Sequence, residues 1–195
     1  MRRVDISRHG FDQDNYFIHL ARYMFAARQL RKDFRVIEIG CGTGYGARLL
    51  SDFCSEVSAI DEDYENLENS WSDFNKTNLK FYKTVPEGEK YDAVISFEVV
   101  EHIHLDEIDS YFETIKSLMN VHSTLHISTP RALPFNERGT NRQKHHIYEY
   151  NYEEFQSLLQ KYFYNSYIFS QNDSIIGSQN PQMAWNFVAI CTGPK

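Results

Sequence analysis

The sequence predicts an α/β fold built on a mostly parallel sheet. Three observations carry that expectation. Short apolar runs alternate with stretches of helical periodicity along most of the chain. The first such run ends in a cluster of glycines. The last two runs have no helical pattern between them. Alternating strands and helices assemble into a parallel sheet with helices on its faces. A final pair of strands joined by a loop adds an antiparallel ending.

The elements follow in order. Phe17, Leu20, Tyr23, Met24, Ala27 and Leu30 recur at helical spacing and predict an amphipathic helix over Tyr16 to Leu30. Arg35 to Ile39 reads as a short strand that ends in glycine, and Tyr45 to Ser51 as the helix after it. Val57 to Ile60 is a second strand, ending at Asp61. Asp63 to Lys76 carries Leu67, Trp71 and Phe74 on one side and predicts a helix. Leu79 to Tyr82 is the third strand. Tyr91 to Phe97 is almost continuously apolar and predicts a strand buried on both faces. Asp106 to Leu118 is helical, with Ile108, Tyr111, Phe112, Ile115 and Leu118 on one stripe. Thr124 to Ser128 is a strand stopped by Pro130, and Tyr152 to Phe163 is helical. Tyr164 to Ser170 and Trp185 to Cys191 are the late strands, joined by a loop holding Gly177 and Pro181.

The chain of 195 residues is of single-domain size, and 42% hydrophobic residues suffice for a core. No apolar run is long enough to span a membrane, and the N-terminus lacks a signal-peptide stretch. The three cysteines show no paired spacing, so neither a disulfide frame nor a zinc site is expected. A cytoplasmic location follows as the expectation. With 20 basic against 27 acidic residues, the net charge is -7, which argues against non-specific nucleic-acid binding.

Four of nine glycines, Gly40, Gly42, Gly44 and Gly46, fall in the turn between the first strand and its helix. Such density lets the backbone turn sharply and a ligand approach closely. Gly42 to Ala47 satisfies the dinucleotide fingerprint, and Asp61 lies where a ribose-binding acid belongs, so an NAD(P)-binding oxidoreductase is one reading. Glu38 tilts the choice. A carboxylate two residues before the first glycine opposes a pyrophosphate and suits a cationic ligand with a free amino group. The chain also leaves little room for a separate substrate domain.

The pattern Glu38-x-Gly40-x-Gly42-x-Gly44 resembles motif I of the class I S-adenosylmethionine-dependent methyltransferases. Tyr91 to Ile103 resembles that family's fourth strand and the turn after it, and His126 to Pro130 its fifth strand. The resemblance implies a Rossmann-like class I methyltransferase fold: a mostly parallel seven-stranded sheet with an antiparallel last strand. It implies one domain over residues 1–195, with an N-terminal helical lid region (1–33) and a donor-binding, catalytic core (34–195). It implies S-adenosylmethionine as cofactor, held by Glu38, Gly40, Gly42, Gly44 and Asp61, with Glu62, Thr84, Val85 and Phe97 around it. The segment Lys83 to Lys90 departs from the pattern, because it has no aspartate for the adenine.

Glu98, Glu101 and His102 follow the fourth strand, and six of eight histidines lie between His102 and His146. If Glu98, Glu101, His102 and His146 converge, two oxygens and two nitrogens suit a divalent metal such as Mg²⁺, Mn²⁺, Co²⁺ or Zn²⁺. Such a metal can lower the pKa of an acceptor hydroxyl. The stretch resembles the E-x-x-E-H of ubiquinone-pathway O-methyltransferases. It also resembles that of small-RNA 3′-terminal 2′-O-methyltransferases, in which a later histidine precedes an aromatic-Glu-aromatic run, here Tyr148-Glu149-Tyr150. The alternative is His102 as a metal-free general base, with Glu101 beside it. His126 reads as a core residue, His104 and His122 as surface residues, and His9 and His19 as solvated.

Arg131, Arg138, Arg142 and Lys144 stand against Glu137 alone, a basic island after the fifth strand. It reads either as a site for an anionic group or as a solvated loop. The leading expectation is O-methylation of a small or sugar-like acceptor. The alternatives are a metal-dependent RNA 3′-end 2′-O-methyltransferase, an NAD(P)-binding oxidoreductase and a donor-binding protein without catalysis.

Overall fold

The computed structural model describes residues 13–65 and 76–195. In chain order the elements are α1 (Gln13–Ala27), β1 (Arg35–Ile39), α2 (Tyr45–Leu50), β2 (Glu56–Ile60), β3 (Leu79–Tyr82), β4 (Tyr91–Phe97), α3 (Ile108–Ser117), β5 (Met119–Pro130), α4 (Thr140–His145), α5 (Tyr152–Tyr162), β6 (Phe163–Asn172), β7 (Ile175–Gly177) and β8 (Asn186–Pro194). Most of the helix expected between Asp63 and Lys76 lies outside the described residues.

The strands form one sheet in the order β3-β2-β1-β4-β5-β8-β6-β7. Pairing is parallel from β3 through β5. β8 then runs antiparallel to both β5 and β6. The sheet is therefore Rossmann-like as expected, with eight strands among the described residues in place of seven. The extra strand is β7, which folds back on the end of β6. The turn between them holds Asp173 at φ 54°, and aspartate is one of the few side chains that tolerate this left-handed conformation.

Period-two alternation sends residues of the same strand to opposite faces. Ile37 and Val94 join a core with Phe112, Ile115, Phe155, Leu159 and Phe187, under α3 and α5. Val36, Ala93 and Ile95 join a second core with Tyr23, Ala26, Ala47 and Leu50, under α1 and α2. Helix α5 starts in a capping box, in which Asn151 and Glu154 exchange side-chain and backbone hydrogen bonds, each 2.9 Å long.

After β3 the chain crosses back to lay β4 on the free side of β1. The strand order reverses there, and the two β→α connections diverge at the carboxyl ends of β1 and β4. An open α/β sheet binds its ligands in that crevice. The glycine turn closes one side of it and the Glu98 to His102 segment the other.

Candidate active site

The glycine turn is pinned to the end of β2. The amides of Gly40 and Cys41 both donate to the Ile60 carbonyl, at 2.8 and 2.9 Å. Gly40, Gly42 and Gly44 all have positive φ. At Gly40 the requirement is double: φ is 74°, and a Cβ would lie 2.5 Å from the Val99 side chain. Asp61 is buried and held by backbone, accepting from Gly42 N at 2.8 Å and Asp63 N at 3.0 Å. Glu62 and Thr84 are exposed and Val85 is half-buried, all beyond the carboxyl ends of β2 and β3.

Glu38 is buried at the end of β1, where the Tyr23 hydroxyl donates to its Oε1 at 2.5 Å. Burial, with the charge of Asp61 added, raises its pKa to about 8. Phe97 packs edge-on against the Tyr23 ring, their centroids 5.2 Å apart. Gly46 makes room for the same ring, since a Cβ there would come within 2.1 Å of it. Tyr23 thus orients the first acid of the site from α1.

Glu98 breaks a backbone rule, with φ 59°. A left-handed glutamate is strained by about 1–3 kcal/mol and persists only when its surroundings hold it. Ser128 Oγ donates to one carboxylate oxygen at 2.8 Å, and Asn186 Nδ2 to the other at 2.9 Å. Arg22, 1% exposed on α1, stands 4.0 Å away, and it also bonds Gln171 and His19 at 2.8 Å each. Burial pushes the Glu98 pKa upward, but Arg22, His19, Ser128 and Asn186 outweigh it and hold the acid below the usual range. His19 is therefore not a solvated residue. Burial and the neighbouring Arg22 lower its pKa to about 4.

Glu101, His102 and His146 do converge. One ligand atom from each lies within 4.8 Å of the others. The chain achieves this across 44 positions through backbone: the amides of Ile147 and Tyr148 donate to the Glu101 carbonyl, at 2.8 and 3.2 Å. Glu101 Oε1 and His102 Nε2 are buried without a hydrogen-bond partner, 3.9 Å apart. Such orphaned atoms are expensive unless something fills the space between them. Burial, with the charge of Glu98 added, drives the Glu101 pKa well upward, and burial lowers that of His102. Glu98, expected as a fourth ligand, does not join the group. Its oxygens are turned to Ser128 and Asn186.

The basic island also departs from expectation. Arg131 Nε donates to the Ala184 carbonyl at 2.6 Å. Arg142 Nε and Arg138 Nε lie 2.8 and 3.2 Å from the carboxylate of Glu149, which also accepts from His146 Nδ1 at 2.7 Å. The three guanidinium groups bind inward, holding the segment together. Burial opposes the Glu149 charge, but His146 and the arginines outweigh it and pull the pKa down to about 2. Tyr23, Arg22, Glu149, Ser128 and Asn186 all support the site without having been expected there.

A family model described as a methyltransferase domain matches residues 12–165. The chain belongs to the methyltransferase domain family. A probable S-adenosylmethionine-dependent methyltransferase of Mycobacterium tuberculosis is 29% identical over 156 residues, 76% of this chain and 55% of that protein. The chain spans just over half the length of such curated relatives. Among solved structures, the methyltransferase domain of a bacterial Hen1 superposes with TM-score 0.67 at 18% identity, covering 90% of this chain and 99% of that one. A DhpI complex with SAH gives TM-score 0.67 at 18% identity, covering 93% and 88%. At that identity the likeness is one of fold. This methyltransferase domain thus carries two candidate groups of side chains at the switch point, Glu38 and Asp61 at the ends of β1 and β2, and Glu101, His102 and His146 beyond β4.

Proposed function

We propose that this domain transfers a methyl group from S-adenosylmethionine to a hydroxyl oxygen of a small, sugar-like acceptor, with a divalent cation held by Glu101, His102 and His146. The observation that carries the reading is the pairing, at one switch point, of a glycine turn backed by a buried acid with a cluster of orphaned Glu and His ligand atoms.

The donor fits the first half. Glu38 offers a buried partner to the ammonium of its methionine part, and the left-handed turn at Gly40 to Gly44 lets backbone approach it. Asp61 stands at the end of β2, where the ribose hydroxyls would lie. A pyrophosphate would meet Glu38 instead, which disfavours an NAD(P) reading. Bound there, S-adenosylmethionine supplies a sulfonium methyl that is already electrophilic, so the protein's task is largely alignment.

The cation fits the second half. Glu101 Oε1 and His102 Nε2 are buried atoms with lone pairs and no partner. An ion between them would supply the charge that Glu101 lacks and would acidify a bound hydroxyl. His102 Nδ1 is fixed by the His145 carbonyl at 2.8 Å, which leaves Nε2 as the acceptor. A sugar hydroxyl needs no phosphate-binding face, and the inward-bound arginines offer none. The second reading, 2′-O-methylation of an RNA 3′ end, has the same ligand cluster in its favour.

Calorimetric titration with S-adenosylhomocysteine and with NAD tests the donor. Binding of the first and not the second is expected, and the reverse would end the reading. A labelled-donor screen of sugar nucleotides, phenols and RNA ends tests the acceptor, with transfer to sugar hydroxyls expected. Metal content of the purified protein, with the activity of Glu101→Ala and His146→Ala, tests the cation. Loss of about 100-fold or more is expected for each variant, and full activity of both in chelator would rule the cation out.

A further inference from the structure

Two histidines face the proposed cation, and each is held through Nδ1, by partners of different chemistry. His102 Nδ1 meets the backbone carbonyl of His145. A carbonyl oxygen only accepts, so Nδ1 of His102 is the donor. His146 Nδ1 meets Oε1 of Glu149, at 2.7 Å. An ionised carboxylate also only accepts, so Nδ1 of His146 donates too. Both rings therefore carry their lone pair on Nε2, a form that can ligate a metal.

Glu149 is unusually well anchored for a residue outside the Glu101, His102 and His146 group. Its side chain is fully buried. Arg142 Nε donates to it at 2.8 Å, Arg138 Nε stands 3.2 Å from its other oxygen, and Leu133 N reaches that oxygen at 3.4 Å. Arg142 also ties back to the Arg131 carbonyl, at 2.9 Å. The two guanidinium groups are held by local backbone as well, since Arg138 Nε reaches the Leu133 carbonyl at 2.8 Å. The carboxylate therefore has one position, and the ring of His146 has one orientation on it.

We infer that Glu149 is a positioning residue: clamped by Arg138 and Arg142, it holds His146 in the Nδ1–H tautomer with Nε2 turned free for a divalent cation. The inference rests on the cation reading of the cluster. It also gives the basic segment a task. Arg138 and Arg142 act through Glu149 on a ligand and do not meet the substrate. The stretch from His145 to Glu149 then supplies four parts of one device: a carbonyl that orients His102, a ligand ring, two amides that dock on Glu101, and the acid that sets the ring.

Two measurements on the 195-residue chain test this. Long-range ¹H–¹⁵N NMR at mildly alkaline pH, without metal, reads the tautomer of His146, assigned by loss of its signals in His146→Ala. The wild type and Glu149→Gln are expected as Nδ1–H, because an amide oxygen also accepts. Glu149→Ala is expected to shift toward the Nε2–H form. Calorimetric titration with Mn²⁺ is expected to show binding weakened by about 10–100-fold in Glu149→Ala and largely restored in Glu149→Gln. An Nε2–H tautomer in the wild type, or equal Mn²⁺ affinity in the wild type and Glu149→Ala, would overturn the inference. So would Glu149→Gln as weak as Glu149→Ala, since that pattern marks a charge that merely anchors the loop. If the wild type takes up no Mn²⁺ while His146 is Nδ1–H, the cation reading fails and the inference falls with it.

Discussion

In the proposed donor site, Glu38 is the residue whose protonation makes the reading measurable. It is 1% exposed, with the Tyr23 hydroxyl on one oxygen. With a pKa near 8 in the ligand-free protein, it is mostly protonated at neutral pH. The ammonium of the donor's methionine part is the countercharge that would favour the ionised form, so the acid should lose its proton as the donor arrives. The sign follows by linkage: the ligand-free pKa lies above the pH, the bound pKa below it, and binding releases a proton. Titration of S-adenosylhomocysteine at pH 7 in buffers of different ionisation enthalpy should show release of a proton, up to about one per site. Glu38→Gln should weaken binding and abolish the release. Binding without proton release in the wild type would show that Glu38 does not pair with the ligand.

Among the elements, β5 carries both the site and a liability. Its carboxyl end supplies Ser128 and Thr129 beneath Glu98 and Glu101. Two residues earlier His126 is buried between Ile95 of β4 and Ile190 of β8, with Nδ1 unpartnered. Burial lowers its pKa to about 4. A histidine whose folded pKa is depressed resists a proton that the unfolded chain accepts below about pH 6.5. Its contribution to stability is therefore intact above pH 6.5 and is lost as the pH falls toward 4, by at most about 3 kcal/mol. The thermal midpoint should drop between pH 7 and pH 5, and His126→Leu should flatten that slope. An equal slope in the variant would assign the acid sensitivity elsewhere, His19 being the next candidate. Strands such as β4 were legible because their apolar runs are local, and so was the glycine turn with Glu38 beside it, whereas β5, expected over Thr124 to Ser128, runs from Met119 through Pro130. What escaped is non-local. Arg22 reaches Gln171 across 149 positions, and in sequence it is only a charge next to an apolar stripe. Tyr23 was legible as a core residue, but its hydroxyl on Glu38 was not. The island from Arg131 to Lys144 reads as an anion site or a solvated loop because composition does not reveal which way a guanidinium turns, and Glu149 lies outside that basic stretch.

At the scale of the whole molecule, charge offers a test that separates the two proposed acceptors. The chain carries a net charge of -7, and the basic segment that broke the acidic pattern directs Arg131, Arg138 and Arg142 to a backbone carbonyl and to Glu149. A protein that holds an RNA end by its phosphates must release counterions. For single strands each neutralised phosphate then contributes roughly -0.7 to the slope of log affinity against log salt. An enzyme gripping four or more phosphates would show a slope near -3. A sugar-like acceptor has no such requirement, because recognition falls to a cation and a few hydrogen bonds at one ring. Binding of a short RNA with free 3′ hydroxyls, measured by fluorescence anisotropy between 50 and 200 mM salt, should therefore be weak, with a slope shallower than about -1. Methyl transfer to a sugar hydroxyl should be nearly independent of salt over the same range. A slope near -3 with micromolar affinity would move the acceptor to RNA while leaving the donor site and the Glu101, His102 and His146 cluster as they are, since neither depends on what lies beyond the reacting hydroxyl.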